Sequence, residues 1–119
     1  MISTLVIGAS SNPEQYSHMA MVRLMAAGHS VKAIGRTPFE LASTHVTDQK
    51  LAFPSIHTVT LYLNRERQKE YEQYILELQP KRIIFNPGAE NPNFLQLARS
   101  KGIDAIEACT LVMLAAGTY

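Results

Sequence analysis

Short, uninterrupted apolar runs alternate along this chain with segments of helical period, and this alternation constrains the fold more than any other feature. The first run covers residues 2–7 and stops at Gly8; the segment that follows, residues 16–27, is rich in Met, Ala and Leu and stops at Gly28. Apolar runs of this length are typical of parallel strands buried on both faces, with crossover helices between them. The alternation therefore predicts an α/β fold.

The same pattern continues to the end of the chain. Further strands are predicted at residues 30–34, 56–63, 82–85 and 104–108, and further helices at residues 64–80, 91–101 and 110–114. Asn91 and Pro92 form a helix-start signal, because an Asn side chain caps the first turn and proline already has the helical φ. Residues 36–54 contain two prolines and no sustained period. We expect a loop there, with at most short helical turns.

Five strands joined by right-handed crossovers predict an open, doubly wound parallel sheet of the Rossmann-like class, with the strand order 3-2-1-4-5. The length of 119 residues suits one domain, residues 1–119. Such sheets bind ligands beyond the carboxyl ends of the strands, where the strand order reverses. We therefore expect the site between the loop after the first strand, residues 8–12, and the loop after the fourth, residues 86–90.

The loop after the first strand has the residues that an anion-binding turn needs. Gly8 lets the backbone and a ligand approach closely, and the small residues Ala9, Ser10 and Ser11 leave the backbone N–H groups exposed. The amino terminus of a helix follows, and its unpaired N–H groups and positive dipole end favour a phosphate. The three-glycine dinucleotide fingerprint is absent, so a turn that merely bends the chain stays an alternative.

The start of this first helix is open to two interpretations. Residues 11–14 form a capping box with Pro13 at the first helical position, whereas Ser17 is a cap for a later start. The later start leaves a longer loop for a phosphate.

Three segments carry a resemblance to a known family. Residues 6–17 read Val-Ile-Gly-Ala-Ser followed by Asn-Pro and Tyr-Ser, and residues 86–91 and 107–112 read Asn-Pro-Gly-Ala-Glu-Asn and Glu-Ala-Cys-Thr-Leu-Val. In this order and spacing the chain resembles the small bacterial CoA-binding proteins, whose fold is shared with the CoA-binding domain of succinyl-CoA synthetase. The resemblance runs nearly end to end. It implies that CoA or an acyl-CoA lies across the strand ends, its diphosphate on the loop at residues 8–10 and its adenosine toward the loop after the second strand.

The chain departs from this family at two positions. Gln15 stands where the family usually has Lys or Arg, and a neutral amide donates hydrogen bonds without the strength that a charge adds. Arg36 follows the second strand, where the family commonly has Asn-Pro. A guanidinium there suits a ribose phosphate, either the 3′-phosphate of CoA or the 2′-phosphate of NADP.

The residues predicted to bind the ligand are Gly8, Ala9, Ser10, Gln15, Ser17, Arg36, Leu63, Asn64, Pro87 and Gly88. Backbone donors of the first three contact the diphosphate, Gln15 and Ser17 add side-chain hydrogen bonds, and residues 63–64 and 87–88 form the walls. For Asn64, capping of the helix that follows it is a competing role.

Two alternatives from other functional classes remain. An NADP- or NAD-binding reductase or redox sensor fits Arg36, but 119 residues leave no second domain for a substrate pocket beside a nicotinamide. A Rossmann-like fold used only for protein interaction is the other alternative.

No catalytic residue and no metal site is predicted. Cys109 is the chain's one cysteine and matches a small buried hydrophobe better than a nucleophile. Glu90 and Glu107 lie near predicted strand ends and are candidates for an acid–base pair, but a helix dipole at Glu90 and backbone donors at Glu107 explain them better. The histidines have no ligand spacing; they are His18, His29, His45 and His57.

Composition narrows the partners. A formal net charge of +1 gives no reason to expect nucleic-acid binding, and no apolar stretch approaches the roughly 20 residues that a membrane-spanning helix needs. A single cysteine and the lack of a basic leader segment predict a cytoplasmic setting. Exposed edge strands and a Met- and Leu-rich carboxyl end make a homodimer reasonable.

Overall fold

A seven-stranded sheet forms the centre of the computed structural model, which describes residues 1–119. Its strands are β1 (Ser3–Ala9), β2 (Ser30–Gly35), β3 (Phe39–Leu41), β4 (Thr44–Thr47), β5 (Thr58–Leu61), β6 (Arg82–Phe85) and β7 (Asp104–Glu107). The helices are α1 (Tyr16–Ala26), α2 (Arg65–Gln68), α3 (Glu72–Leu78), α4 (Pro92–Ser100) and α5 (Thr110–Ala116). The order across the sheet is β3-β4-β2-β1-β5-β6-β7, and every pair is parallel except β3 with β4. The single α/β domain is Rossmann-like, as predicted.

The predicted strand order 3-2-1-4-5 is wrong. The predicted third strand is β5, and it pairs with β1 rather than with β2. The position beside β2 belongs to β4, where Ala33 pairs with Val46 and Ile34 with Thr47. When β4 is counted as the third strand, the six parallel strands follow the order 3-2-1-4-5-6, the dinucleotide-binding arrangement of doubly wound sheets.

The loop prediction for residues 36–54 is wrong over residues 39–47, which form the antiparallel pair β3 and β4. Residues 36–38 and 48–54 lie outside helices and strands, as predicted. Val46 is fully buried and packs with the apolar side chains of β1, β2 and α1. Both strands are short, three and four residues. Strands of that length show too little alternation to stand out beside two prolines.

The corrected order moves the reversal point. Because β1 pairs with β2 on one side and with β5 on the other, the reversal lies between β1 and β5. The loop after β6, predicted to face the loop after β1 directly, is one strand farther away. The expected position of the site is thus corrected to the carboxyl ends of β1 and β5, with β2 and β6 on the flanks.

Apolar side chains pack on both faces of the sheet. Along β1, Leu5 and Ile7 join the larger cluster, which α3 and α4 cover, and Val6 joins the smaller cluster under α1. This alternation follows from the two-residue period of a strand. Phe94 of α4 packs edge-on against Phe85 at 5.8 Å between ring centroids. Burying one such side chain fully contributes about 1.5–3 kcal/mol.

Three helices differ from their predicted bounds. Helix α1 begins at Tyr16, with Gln15 before it and no side-chain cap, so neither the predicted capping box at residues 11–14 nor Ser17 caps it. Residues 10–15 form a loop. The predicted helix over residues 64–80 is divided into α2 and α3, and α5 extends to Ala116. No helix has the length and apolar character needed to cross a membrane.

Candidate functional site

A cleft of about 630 Å³ opens at the carboxyl ends of β1, β2, β5 and β6. Its volume lies within the roughly 300–1,000 Å³ of small-molecule sites. All ten residues predicted to bind the ligand line this cleft: Gly8, Ala9, Ser10, Gln15, Ser17, Arg36, Leu63, Asn64, Pro87 and Gly88. Two further lining residues, Ser11 and Ala89, lie in the two loops where the site was expected. The lining residues that the sequence did not indicate are Tyr16, Thr37, Tyr62 and Arg67. The fold thus gathers the predicted set in one place, and contact of each residue with a ligand stays a prediction.

Two glycines allow the strand ends beneath the cleft to approach closely. Gly8 has a φ of +97°, and a Cβ atom there would lie 2.7 Å from the carbonyl oxygen of Tyr62. At Gly35, a Cβ atom would lie 2.4 Å from the carbonyl oxygen of Ala9. Any larger residue would push the ends of β1, β2 and β5 apart, because the opposing atoms belong to the backbone.

The loop after β1 presents backbone N–H groups that no protein acceptor uses. Those of Ser10, Ser11, Tyr16 and Ser17 donate to no protein atom, while the N–H of Asn12 donates to Ser10 Oγ at 3.1 Å and closes the turn. The four unused donors flank residues 12–15 on both sides. Unpaired amides in a turn and in the first turn of an α-helix are favourable partners for an anion.

His18 fixes the orientation of this loop. Its Nδ1 lies 2.8 Å from the carbonyl oxygen of Ser10, and its ring stacks on Phe39 at 6.4 Å between centroids. Because a carbonyl oxygen only accepts, Nδ1 carries the proton. In a trans peptide the carbonyl and the following N–H point in opposite directions, so this bond directs the N–H of Ser11 away from His18. The spacing from Ser10 to His18 gave no recognisable motif, and β3, which carries Phe39, was not predicted.

The charged residues that line the cleft are both cations. Arg36 follows β2, and Arg67 lies in α2, whose first turn is capped where Asn64 Oδ1 accepts from the N–H of Arg67 at 2.9 Å. No ion pair of the protein includes either arginine, and no Asp or Glu lines the cleft. Such a cleft attracts an anion. The Asn64 cap was predicted from the sequence, and it also places Arg67 at the cleft, which we did not anticipate.

A buried polar network forms the floor below the cleft. The Asn86 Nδ2 group donates to Thr60 Oγ1 at 2.7 Å and to the carbonyl oxygen of Leu61 at 2.9 Å, and Asn86 Oδ1 accepts from the N–H of Thr110. The hydroxyls of Thr60 and Thr110 are 2.8 Å apart. These bonds join the ends of β5 and β6 to the start of α5, so the floor is rigid.

The family model of the CoA binding domain matches residues 3–115 of this chain. The chain belongs to the CoA binding domain family. The resemblance to this family, noted from the sequence, is therefore confirmed. No curated protein matches the chain.

Solved structures share the fold of this CoA binding domain. A crystal structure of an uncharacterized protein is 39% identical, with a TM-score of 0.97, over 100% of this chain and 98% of that chain. A hypothetical protein from Pyrococcus horikoshii OT3 is 20% identical, with a TM-score of 0.86, over 96% and 82% of the two chains. A third match is Ca. Korarchaeum cryptofilum dinucleotide forming acetyl-coenzyme A synthetase 1 in complex with phosphate and ADP. It is 16% identical, with a TM-score of 0.71, over 91% of this chain and 26% of that one.

None of the candidate reactive groups of this CoA binding domain lines the cleft. Glu90 Oε1 accepts from the N–H of Gly88 at 3.0 Å, and neither Glu90 nor Glu107 is among the lining residues. The cleft therefore holds no pair of carboxylates to act as an acid and a base. Cys109 is half-buried ahead of α5 and also lies outside the cleft lining.

Tyr62 is the one lining residue with a strongly shifted pKa. Its hydroxyl is buried near Thr110 and Thr60, without a hydrogen bond of ordinary geometry to either. Burial raises the pKa of Tyr62 to about 12. The hydroxyl therefore stays protonated near neutral pH and is unsuited to act as a base there.

Proposed function

We propose that this chain binds CoA or an acyl-CoA in the cleft, as a non-catalytic or regulatory binding protein. The observation that carries the proposal is the set of unused N–H groups at Ser10, Ser11, Tyr16 and Ser17. Gly8 and Ala9 shape the turn that bears the first two of these groups. A diphosphate offers the charged acceptors that such donors favour.

The two arginines support a ligand with phosphate at two separate places. In the sheet order, the loop after β1 lies between Arg36, which follows β2, and Arg67 of α2, which follows β5. Neighbouring strands are about 4.8 Å apart, so the cations flank the amides on either side. We assign Arg36 to the ribose 3′-phosphate of CoA and Arg67 to the far side of the diphosphate. The adenosine then lies toward β2.

The remaining predicted residues have supporting roles in this proposal. Gln15 and Ser17 add side-chain hydrogen bonds to the phosphates. Asn64 uses Oδ1 for the helix cap, which leaves its Nδ2 group for the ligand. Leu63, Pro87 and Gly88 form walls for the part of the ligand beyond the diphosphate. Their position along the cleft supports this role.

NADP is the second candidate ligand, and Arg36 is the observation that favours it. Sheets of this order that bind NAD commonly use an acidic residue near the end of the second strand for the ribose hydroxyls, and NADP binding uses an arginine instead. This chain has Gly35 and Arg36 at that place. NAD itself, with no additional ribose phosphate, would leave Arg36 without a partner.

Calorimetric titration of the purified chain with CoA, NADP, NAD and ATP tests the proposal. We expect the tightest binding for CoA, because CoA alone in this set combines a diphosphate, a ribose 3′-phosphate and a long arm beyond them. Preference for NADP would overturn the CoA assignment. Absence of heat with all of these ligands would favour the fold used only for protein interaction. The cytoplasmic setting and the homodimer stay predictions from the sequence.

A further inference from the structure

One fully buried side chain links two walls of the cleft. Gln68, at the end of α2, is 0% exposed, and its Nε2 group donates to the carbonyl oxygens of Leu63 at 2.8 Å and Ala89 at 2.7 Å. Leu63 follows β5 and Ala89 follows β6, and both line the cleft. We call these two hydrogen bonds the Gln68 bridge.

The acceptor side of the same amide is also occupied. Asn91 Nδ2 donates to Gln68 Oε1 at 2.9 Å, and Asn91 Oδ1 caps α4 by accepting from the N–H of Phe94 at 3.2 Å. Asn91 Nδ2 also lies 3.3 Å from Glu72 Oε2. Gln68 therefore has a unique orientation, with both amide protons directed at the two carbonyls.

Gln68 takes part in every direct hydrogen bond between these two loops beyond the strand ends, and Asn91 adds one bond to Glu72 at the start of α3. Between residues 62–68 and 87–91, each hydrogen bond has Gln68 as donor or acceptor. The bond from Asn86 to Leu61 lies one layer lower, in the floor. Gln68 therefore makes the direct hydrogen-bonded link between the two loops, beside the apolar packing of Leu63 and Ala89 in one buried cluster.

We propose that Gln68 is a positioning residue: the Gln68 bridge fixes the width of the cleft between the loops after β5 and β6, and so controls affinity for the part of the ligand beyond the diphosphate. The inference rests on the proposed function for the identity of that ligand. Without the bridge, two buried carbonyls lose their donors and the loops must move to satisfy them. The amide loop after β1 and Arg36 lie outside the bridge and keep their geometry.

The test compares two ligands in two matched variants. Gln68→Met keeps the length of the side chain and removes both donors, and Gln73→Met makes the same change on the exposed side of α3. We expect Gln68→Met to lower the affinity for CoA by about tenfold, which is equivalent to about 1.4 kcal/mol of binding free energy. We expect the same variant to weaken the binding of adenosine 3′,5′-bisphosphate by less than about twofold. This ligand lacks the arm, and the contacts that hold it are unchanged in the variant. Gln73→Met should change neither affinity.

A stability control separates positioning from general loosening of the fold. Ile75→Val lowers the stability of the fully buried core beside α2 without touching either carbonyl. It should leave the ratio of the two dissociation constants at the wild-type value. Equal weakening of both ligands in Gln68→Met, or unchanged CoA affinity, would overturn the inference. If the wild-type chain binds no CoA, the proposed function fails, and the inference with it.

Nuclear magnetic resonance of the wild-type chain gives a second test if Gln68→Met does not fold. The side-chain amide protons of Gln68 should exchange slowly with solvent, and they should shift on addition of CoA but not of adenosine 3′,5′-bisphosphate. Fast exchange, or the same shift with both ligands, would overturn the inference.

Discussion

Gly8 is the residue on which the geometry of the cleft depends most directly. It combines a left-handed φ of +97° with backbone atoms of Tyr62 inside the space of a Cβ atom. Gly28 has a similar φ of +86°, but a Cβ atom there would meet nothing within 4 Å. A side chain at Gly28 would therefore be strained only by the left-handed conformation, whereas one at Gly8 would also clash with the backbone of Tyr62. Comparing the two positions separates these two energetic costs.

We predict that Gly8→Ala lowers the free energy of unfolding by about 2–5 kcal/mol, and Gly28→Ala by about 1–2 kcal/mol. The left-handed conformation accounts for about 1–2 kcal/mol in each case, and the clash with the end of β5 adds about 1–3 kcal/mol at Gly8 only. Urea denaturation of the two variants measures the difference. Equal losses would show that β1 and β5 have room for a side chain at this point.

Arg36 carries the prediction about the ribose phosphate. Arg36→Ala should lower the affinity for CoA by about ten- to a hundredfold, because a charge-assisted contact contributes about 1.5–3 kcal/mol of binding free energy. Dephospho-CoA lacks the 3′-phosphate, so its affinity should change little. Arg65→Ala is the control, since Arg65 is exposed on α2 and does not line the cleft. Calorimetry decides the assignment, and equal losses for the two ligands would contradict it.

At the scale of elements, sequence patterns predict most strands and helices because they are local. The uninterrupted apolar character of β1 and β6 comes from burial on both faces, and the Asn91 cap shows where α4 begins. The short pair β3 and β4 was missed because its stability comes from pairing and from packing against distant side chains. Pairing between strands is not local, so the partner of β1 had to be inferred from a general rule, and the missing β4 made that inference wrong.

Val46 tests whether β4 is part of the core. Val46→Ala should lower the free energy of unfolding by about 1–3 kcal/mol, because the side chain is fully buried between β2 and α1. The neighbouring His45→Ala, on the exposed side of β4, should change it by less than about 0.5 kcal/mol. Thermal or urea unfolding provides the comparison. A small effect at both positions would contradict this account and indicate that β4 is not part of the core.

At the scale of the whole molecule, the chain is nearly neutral while its cleft is cationic. The net charge is +1, but two arginines without ion pairs lie together at one edge of the sheet. The composition alone does not show this clustering. The ten predicted site residues come together because parallel strands place all their carboxyl ends on one edge. Arg67, His18 and Gln68 were missed because their roles depend on side-chain contacts between elements, for which the sequence shows no spacing rule.

The central claim is that the unused amides of the loop after β1 bind a diphosphate. A titration of the ¹⁵N-labelled chain with CoA, followed by nuclear magnetic resonance, tests it directly. We predict that the backbone amide resonances of Ser10, Ser11, Tyr16 and Ser17 move downfield together and saturate with one dissociation constant, because each N–H gains a charged acceptor. Amide resonances of this loop that stay in place while CoA binds elsewhere, or throughout the titration, would contradict the account.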